Sequence, residues 1–156
     1  MIFTYMPLPT KGPVPSLAGA MVRHRPILGV FGPLGLRFHD GCVDCAADDT
    51  IFPLTLARKL GIDLTGALQG EAHPVGGVVV PYVYAAVTLR VSDGMETCEW
   101  QATVGFGDLP LRWALLGHAG FLNFFDTDLR GARREVFIAP NSLSPGAHTI
   151  HRTPPP

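Results

Sequence analysis

Two runs of strict alternation, YVYAAVTLRV at 82–91 and EWQATV at 99–104, constrain this chain more than any other feature. Successive residues of a strand point to opposite faces, so a period of two marks a half-buried strand. In the first run Val83, Ala85, Val87, Leu89 and Val91 share one face, and Tyr82, Tyr84, Thr88 and Arg90 share the other. In the second, Trp100, Ala102 and Val104 turn inward, and Glu99, Gln101 and Thr103 turn outward. The 18 glycines and 15 prolines punctuate the rest, which suits many short strands.

PILGVF and LRFHDGCV, separated by GPLG, predict a hairpin leading into a further strand. WALLG at 113–117 reads as a buried strand ending in glycine, and REVFIAP as a last strand. Strands are expected near 26–31, 34–45, 78–92, 97–105 and 133–139. PLTLARKLGIDL predicts one short helix near 53–60. Pro53 suits its first turn, Arg58 and Lys59 its last, and Gly61 the position just past its end. HAGFLNFF predicts a second near 118–124. Residues 1–25 read as an extended Pro-rich arm rather than a folded unit, 26–140 as the domain, and 141–156 as a Pro-rich tail.

The length of 156 residues suits one domain with a real core. Hydrophobic residues at 47% and charged ones at 16% exclude disorder of the whole chain. Twelve scattered Lys and Arg against 13 Asp and Glu do not make a phosphate-binding surface, so no nucleic-acid partner is expected. No apolar run has the length of a membrane span, so no membrane partner is expected either. The opening MIFTYMPLPTKGPVPS has no basic leader, which predicts a cytoplasmic location. Three cysteines, an odd number, do not form a disulfide framework.

The stretch GCVDCAADDTIFP at 41–53 carries the functional question. His39, Cys42 and Cys45 have ligand-like spacing, and Cys98 would complete a four-ligand zinc set. Against this, a second paired cluster is missing, and an extended 36–45 points Cys42 and Cys45 to opposite faces. A redox role for the pair needs a helix N-terminus after a strand, and that context is missing. No metal and no cofactor are therefore expected. His118, in a Gly-flanked loop, is a candidate base for Cys45 as a nucleophile, but a lone His beside glycines reads as a turn or capping residue. The carboxylate reading starts from Asp44, which ends a β-type run and precedes the small residues Ala46 and Ala47. Asp48 and Asp49 follow at once, although acid clusters are most often solvated turns or caps.

From about Pro26 to Pro140 the chain resembles the retroviral-type (retropepsin-like) aspartic proteases. CVDCAADDTIFP stands where that family has an apolar strand followed by Asp-Thr/Ser-Gly-Ala-Asp. LARKLGIDL matches the short helix and turn of small bacterial members, HPVGGVVVPY a glycine-rich hairpin flap, and ALLGHAGFLNFF a late apolar pair with Gly and a short helix. The resemblance implies a mainly β, closed barrel-like acid-protease domain with one or two short helices, active as a two-fold homodimer. It implies Asp44 as catalytic, Cys45, Ala46 and Ala47 as the rest of the active-site loop, and Asp48 and Asp49 as substrate contacts. Gly76 and Gly77 would lie at the flap tip, and Leu115, Leu116 and Gly117 would brace the loop.

The expected function is an aspartic-type endopeptidase acting on a peptide or protein, with Asp44 of two subunits paired. Cys45 and Ala46 depart from the family's Thr/Ser-Gly. That departure supports a second reading, a homodimer that binds extended peptides without cleaving them. A small zinc or redox module is the third.

Overall fold

The computed structural model describes residues 1–9, 20–23, 26–73, 77–108 and 113–151. It is mainly β, with six strands closed into a barrel. These are β4 (Ile27–Gly32), β5 (Gly35–Val43), β6 (Ile51–Pro53), β8 (Val80–Ser92), β9 (Glu96–Gly107) and β10 (Ala114–Leu116). Their order around the barrel is β9, β6, β10, β5, β4, β8 and back to β9. The long hairpin β8–β9 closes the wall, with register from Tyr82↔Gly107 to Ser92↔Thr97. β10 lies between β5 and β6, parallel to the first and antiparallel to the second, and β6 runs parallel to β9. Two strands extend this sheet: β7 (Gln69–Ala72) on β8 and β13 (Ala147–Ile150) on β9.

Alternation sorts the barrel as the pattern predicts. Val87, Leu89 and Val91 of β8 and Cys98, Trp100, Ala102 and Val104 of β9 are buried, while Gln101 and Thr103 are exposed. Leu28, Val30, Phe52 and Leu116 join them in one core. Tyr82 departs from the pattern. It stands on the face assigned to solvent and is only 5% exposed.

The helix α1 (Leu54–Leu60) buries Leu56, Ala57 and Leu60 against the barrel. Pro53 precedes it and Gly61 ends it at φ 66, a left-handed conformation natural to glycine. The second expected helix does not form. Residues 118–124 wind as turns in which Leu122 N–H reaches Gly117 O (2.9 Å) and Asn123 N–H reaches His118 O (3.0 Å), five residues back. Gly120 at φ 89 interrupts α geometry, and its carbonyl accepts the indole N–H of Trp100 at 3.0 Å. Phe121 and Phe125 pack on that indole, with Trp100 and Phe125 centroids 4.9 Å apart.

Both ends of the chain take part in pairing that their proline content conceals. β1 (Ile2–Thr4) pairs with β12 (Glu135–Pro140), which also pairs with β11 (Phe125–Arg130). Met1 and Tyr5 are buried in the core, so the reading of 1–25 as an arm apart from the folded unit is corrected at its first residues. The backbones of β2 (Met6–Pro9) and β3 (Ala20–Arg23) form a separate antiparallel pair. The tail reading is likewise corrected at β13, whose pairing with β9 puts 147–150 on the barrel wall. Among the described residues no helix is long and apolar enough to cross a membrane.

Candidate functional site

β5 ends at Val43, and the chain then turns sharply through Asp44, Cys45, Ala46 and Ala47. Two bonds set the turn: Ala47 N–H donates to Asp44 O at 3.2 Å, and Ala46 N–H donates to Asp44 Oδ1 at 3.0 Å. The second is an Asx-type closure, in which the side chain takes an amide of its own turn. The Asp44 carboxylate is thereby oriented while it stays half-buried, and Cys45 and Ala46 are exposed beside it.

A second segment supports this loop from below. Leu115 and Leu116 of β10 pair with Cys42 and Val43, and Asp44 N–H donates to Leu116 O at 3.1 Å. Beyond β10, His118 N–H donates to Ala47 O (2.9 Å) and Ala119 N–H to Asp48 O (2.7 Å), with a parallel bridge between Asp49 and Ala119. Gly117 stands where a side chain has no room. A Cβ there would run into the carbonyl oxygens of Asp49 and Ala47. The structure thus brings Asp44–Asp49 and Leu115–Ala119 into one unit joined by backbone bonds.

Thr50 completes the join. It is fully buried, its Oγ1 donates to Gly117 O at 3.5 Å, and its N–H donates to Ala119 O at 2.9 Å. The His118 ring lies over the loop with Nε2 3.2 Å from Cys45 O. A carbonyl only accepts, so Nε2 carries the proton in this contact. Position 118 therefore has a partner in the Asp44 loop, which its glycine-flanked setting in the sequence does not reveal.

The neighbouring carboxylates diverge. Asp48 is exposed. Asp49 is half-buried, and its Oδ2 accepts hydrogen bonds from Tyr82 (2.5 Å) and Tyr84 (2.7 Å), whose hydroxyls lie 3.2 Å apart. Burial pushes the Tyr82 hydroxyl well above the usual phenol range, and its bonds to Asp49 and Tyr84 push the same way. For Tyr84 the bond with Tyr82 pulls down, but desolvation and Asp49 prevail and the net direction is up.

Gly77, at φ 79, lies exposed in the connection between β7 and β8, followed by the exposed Val78 and Val79. Gly76 falls outside the described residues. Of the zinc-type set, Cys42 is half-buried on β5, Cys45 is exposed, Cys98 is fully buried in the core, and half-buried His39 packs edge-on against Phe52. Among the described residues no three His, Cys, Asp or Glu side chains converge to hold a metal ion.

No family model matches the chain, and no curated protein sequence matches it.

An oriented, half-exposed carboxylate can accept a proton from water or an N–H from a bound chain. One carboxylate alone cannot be ionised and protonated at once.

Proposed function

We propose that the chain is an aspartic-type endopeptidase of the retropepsin-like kind, whose working unit is a two-fold homodimer with Asp44 of each subunit at the axis. One observation carries the reading. Asp44 sits at the end of a barrel strand, in a turn pinned by backbone bonds to Leu116 and His118, with its carboxylate oriented by the Ala46 amide. Among the described residues Asp93 also follows a barrel strand and holds turn amides, those of Met95 (3.0 Å) and Glu96 (2.9 Å), but it lies in the β8–β9 hairpin and its other oxygen is taken by the Ile2 amide. Asp128 pairs with Arg130 at 2.8 Å, Asp126 lies on β11, and Asp108 is an exposed residue past β9. The second carboxylate then comes from another copy, and a closed two-fold dimer supplies it.

Two carboxylates at close range share one proton, because like charges so near do not both ionise. The ionised member takes a proton from water, which attacks the scissile carbonyl. The protonated member stabilises the oxyanion and then helps protonate the leaving amine. The pair titrates as a unit. The substrate lies extended across the axis and pairs by main-chain hydrogen bonds, with Asp48 and the Gly77 hairpin lining its path.

The exposed Cys45 favours a second reading, a dimer that binds extended peptides without cleaving them. A thiol is a weak donor where the resemblance implies a hydroxyl bridge between loops. Incubating the parent and Asp44→Asn with a mixed peptide library at mildly acid and neutral pH, read by mass spectrometry, separates the readings. Cleavage by the parent alone is expected. Binding without cleavage by either protein supports the second reading, and equal cleavage by both removes Asp44 from the chemistry.

A further inference from the structure

We infer that Asp49, Tyr82 and Tyr84 form a latch that positions the Asp44 loop against the β7–β8 hairpin, so that Asp49 is a positioning residue rather than a substrate contact. The inference deepens the proposed peptidase reading and, for its kinetic consequence, rests on it.

The geometry is specific. Asp49 follows Asp44 by five residues and leads into β6, while Tyr82 and Tyr84 stand on one face of β8. Both hydroxyls converge on the same oxygen, Oδ2, across 33 and 35 residues of chain. Bonds to an ionised acceptor are the strong class, and two on one oxygen fix the carboxylate's orientation. The tyrosine side of the latch is built into the sheet. Gly70 of β7 and Gly105 of β9 lie under the Tyr82 ring, and a Cβ on either would stand 2.6 or 2.5 Å from ring carbons. The rings of Tyr82 and Tyr84 meet edge to face at 5.2 Å. A ring seated on two glycines holds its hydroxyl in reach of Asp49 and of the Tyr84 hydroxyl.

The latch links the two parts that a bound peptide would meet in the proposed peptidase. β7 and β8 carry the exposed Gly77–Val79 connection, and the Asp44 turn carries the carboxylate. A shift of the hairpin is transmitted through Tyr82 to Asp49 and so to the loop. The hydroxyls stay protonated donors well into alkaline solution, because burial and Asp49 both hold their ionisation up.

The test compares Asp49→Asn, Tyr82→Phe and Tyr84→Phe with the parent. The phenylalanine variants keep the rings and remove only the hydroxyls. The first readout is amide hydrogen exchange. We expect faster exchange in 44–50 in all three variants, with α1 and β4 unchanged. The second is phenolate absorbance across an alkaline titration, which is clean because the chain holds 3 tyrosines. Two of them should ionise earlier in Asp49→Asn, with Tyr5 unmoved. The third applies to a peptide that the parent cleaves. There kcat should fall about tenfold, the factor one such hydrogen bond carries, with KM changed less than about twofold.

Unchanged exchange in 44–50 in every variant overturns the latch. So does a raised KM with kcat intact in Asp49→Asn, which would make Asp49 a substrate contact. If the parent cleaves nothing, the peptidase reading fails separately, and exchange and titration still decide whether the latch exists.

Discussion

Gly117 and Ala47 meet backbone to backbone, and a Cβ at position 117 would stand 2.6 Å from the Ala47 carbonyl oxygen. The same Cβ would meet the carbonyl of Asp49, so the obstruction is main chain on both sides. Flexible side chains yield to crowding more readily than main chain, and the Ala47 carbonyl is held by the His118 amide. Gly117→Ala should therefore push the Asp44 turn away from β10 and destabilise the fold by about 1–3 kcal/mol, the usual range for overpacking. Urea unfolding checks this. The midpoint should fall with the slope unchanged, and an unaltered midpoint would mean that the two loops are not in contact.

Tyr82 gives a parallel case on the other side of the site. Gly105→Ala places a methyl under its ring and should displace the hydroxyl from Asp49, at a cost of about 1–3 kcal/mol. The phenol should then ionise earlier in an alkaline titration. Late ionisation of all three tyrosines in the variant would contradict the seating of the ring.

The contrast between these two glycines and the strands shows what a sequence of this kind makes legible. Alternation in 82–91 and 99–104 identifies which residues share a face, and Val87, Leu89, Trp100 and Val104 are buried accordingly. Alternation does not say that one end of the outer face is covered, which takes β7 and three-strand registration, so Tyr82 reads as solvent-facing. Helix α1 was readable because Arg58, Lys59 and Gly61 mark its end locally. Residues 118–124 have helical composition, yet Gly120 and the Trp100 indole, 20 residues earlier, dictate turns. β1 and β13 are short and proline-flanked, and their pairing is with partners far along the chain. A tight turn at Asp44 is legible from the β-type run before it and the small residues Ala46 and Ala47 after it. Its links to His118, Thr50 and the Asp49 latch depend on long-range register and are not.

His39 makes the fold sensitive to mild acid. Its Nε2 is buried with no hydrogen-bond partner among the described residues, and burial lowers its pKa, with Asp40 opposing and Lys59 adding to the effect. The folded protein therefore disfavours the charged ring, while the unfolded chain binds a proton below the ordinary value of 6.5. Stability from this group is full above that value and is lost as pH falls through it toward the lower folded value. His39→Phe should lose less stability than the parent between about pH 7.5 and about pH 5.5. Equal losses measured by urea unfolding would exclude His39 as the source.

Cys45 and Ala46 offer a test of the proposed dimer. In the proposed homodimer, Cys45→Thr with Ala46→Gly supplies a hydroxyl for a bridge between the two Asp44 loops and removes an exposed methyl beside the carboxylate. A neutral hydrogen bond is worth about 1 kcal/mol and forms once per loop, so the dimer should gain roughly 2 kcal/mol. Sedimentation equilibrium should show tighter association, and peptide cleavage should be faster than in the parent. A variant that neither associates more tightly nor cleaves faster would mean that Cys45 and Ala46 already suit the loop.

The proposed pairing of Asp44 across two subunits is tested most directly by mixing. Parent and Asp44→Asn proteins are equilibrated in equal amounts at fixed total concentration, and cleavage of a peptide that the parent cuts is measured. If each site needs one Asp44 from each subunit, only parent homodimers act, and activity falls to about a quarter of that of undiluted parent. A fall to about one half, the value for subunits that act independently, would contradict the shared site.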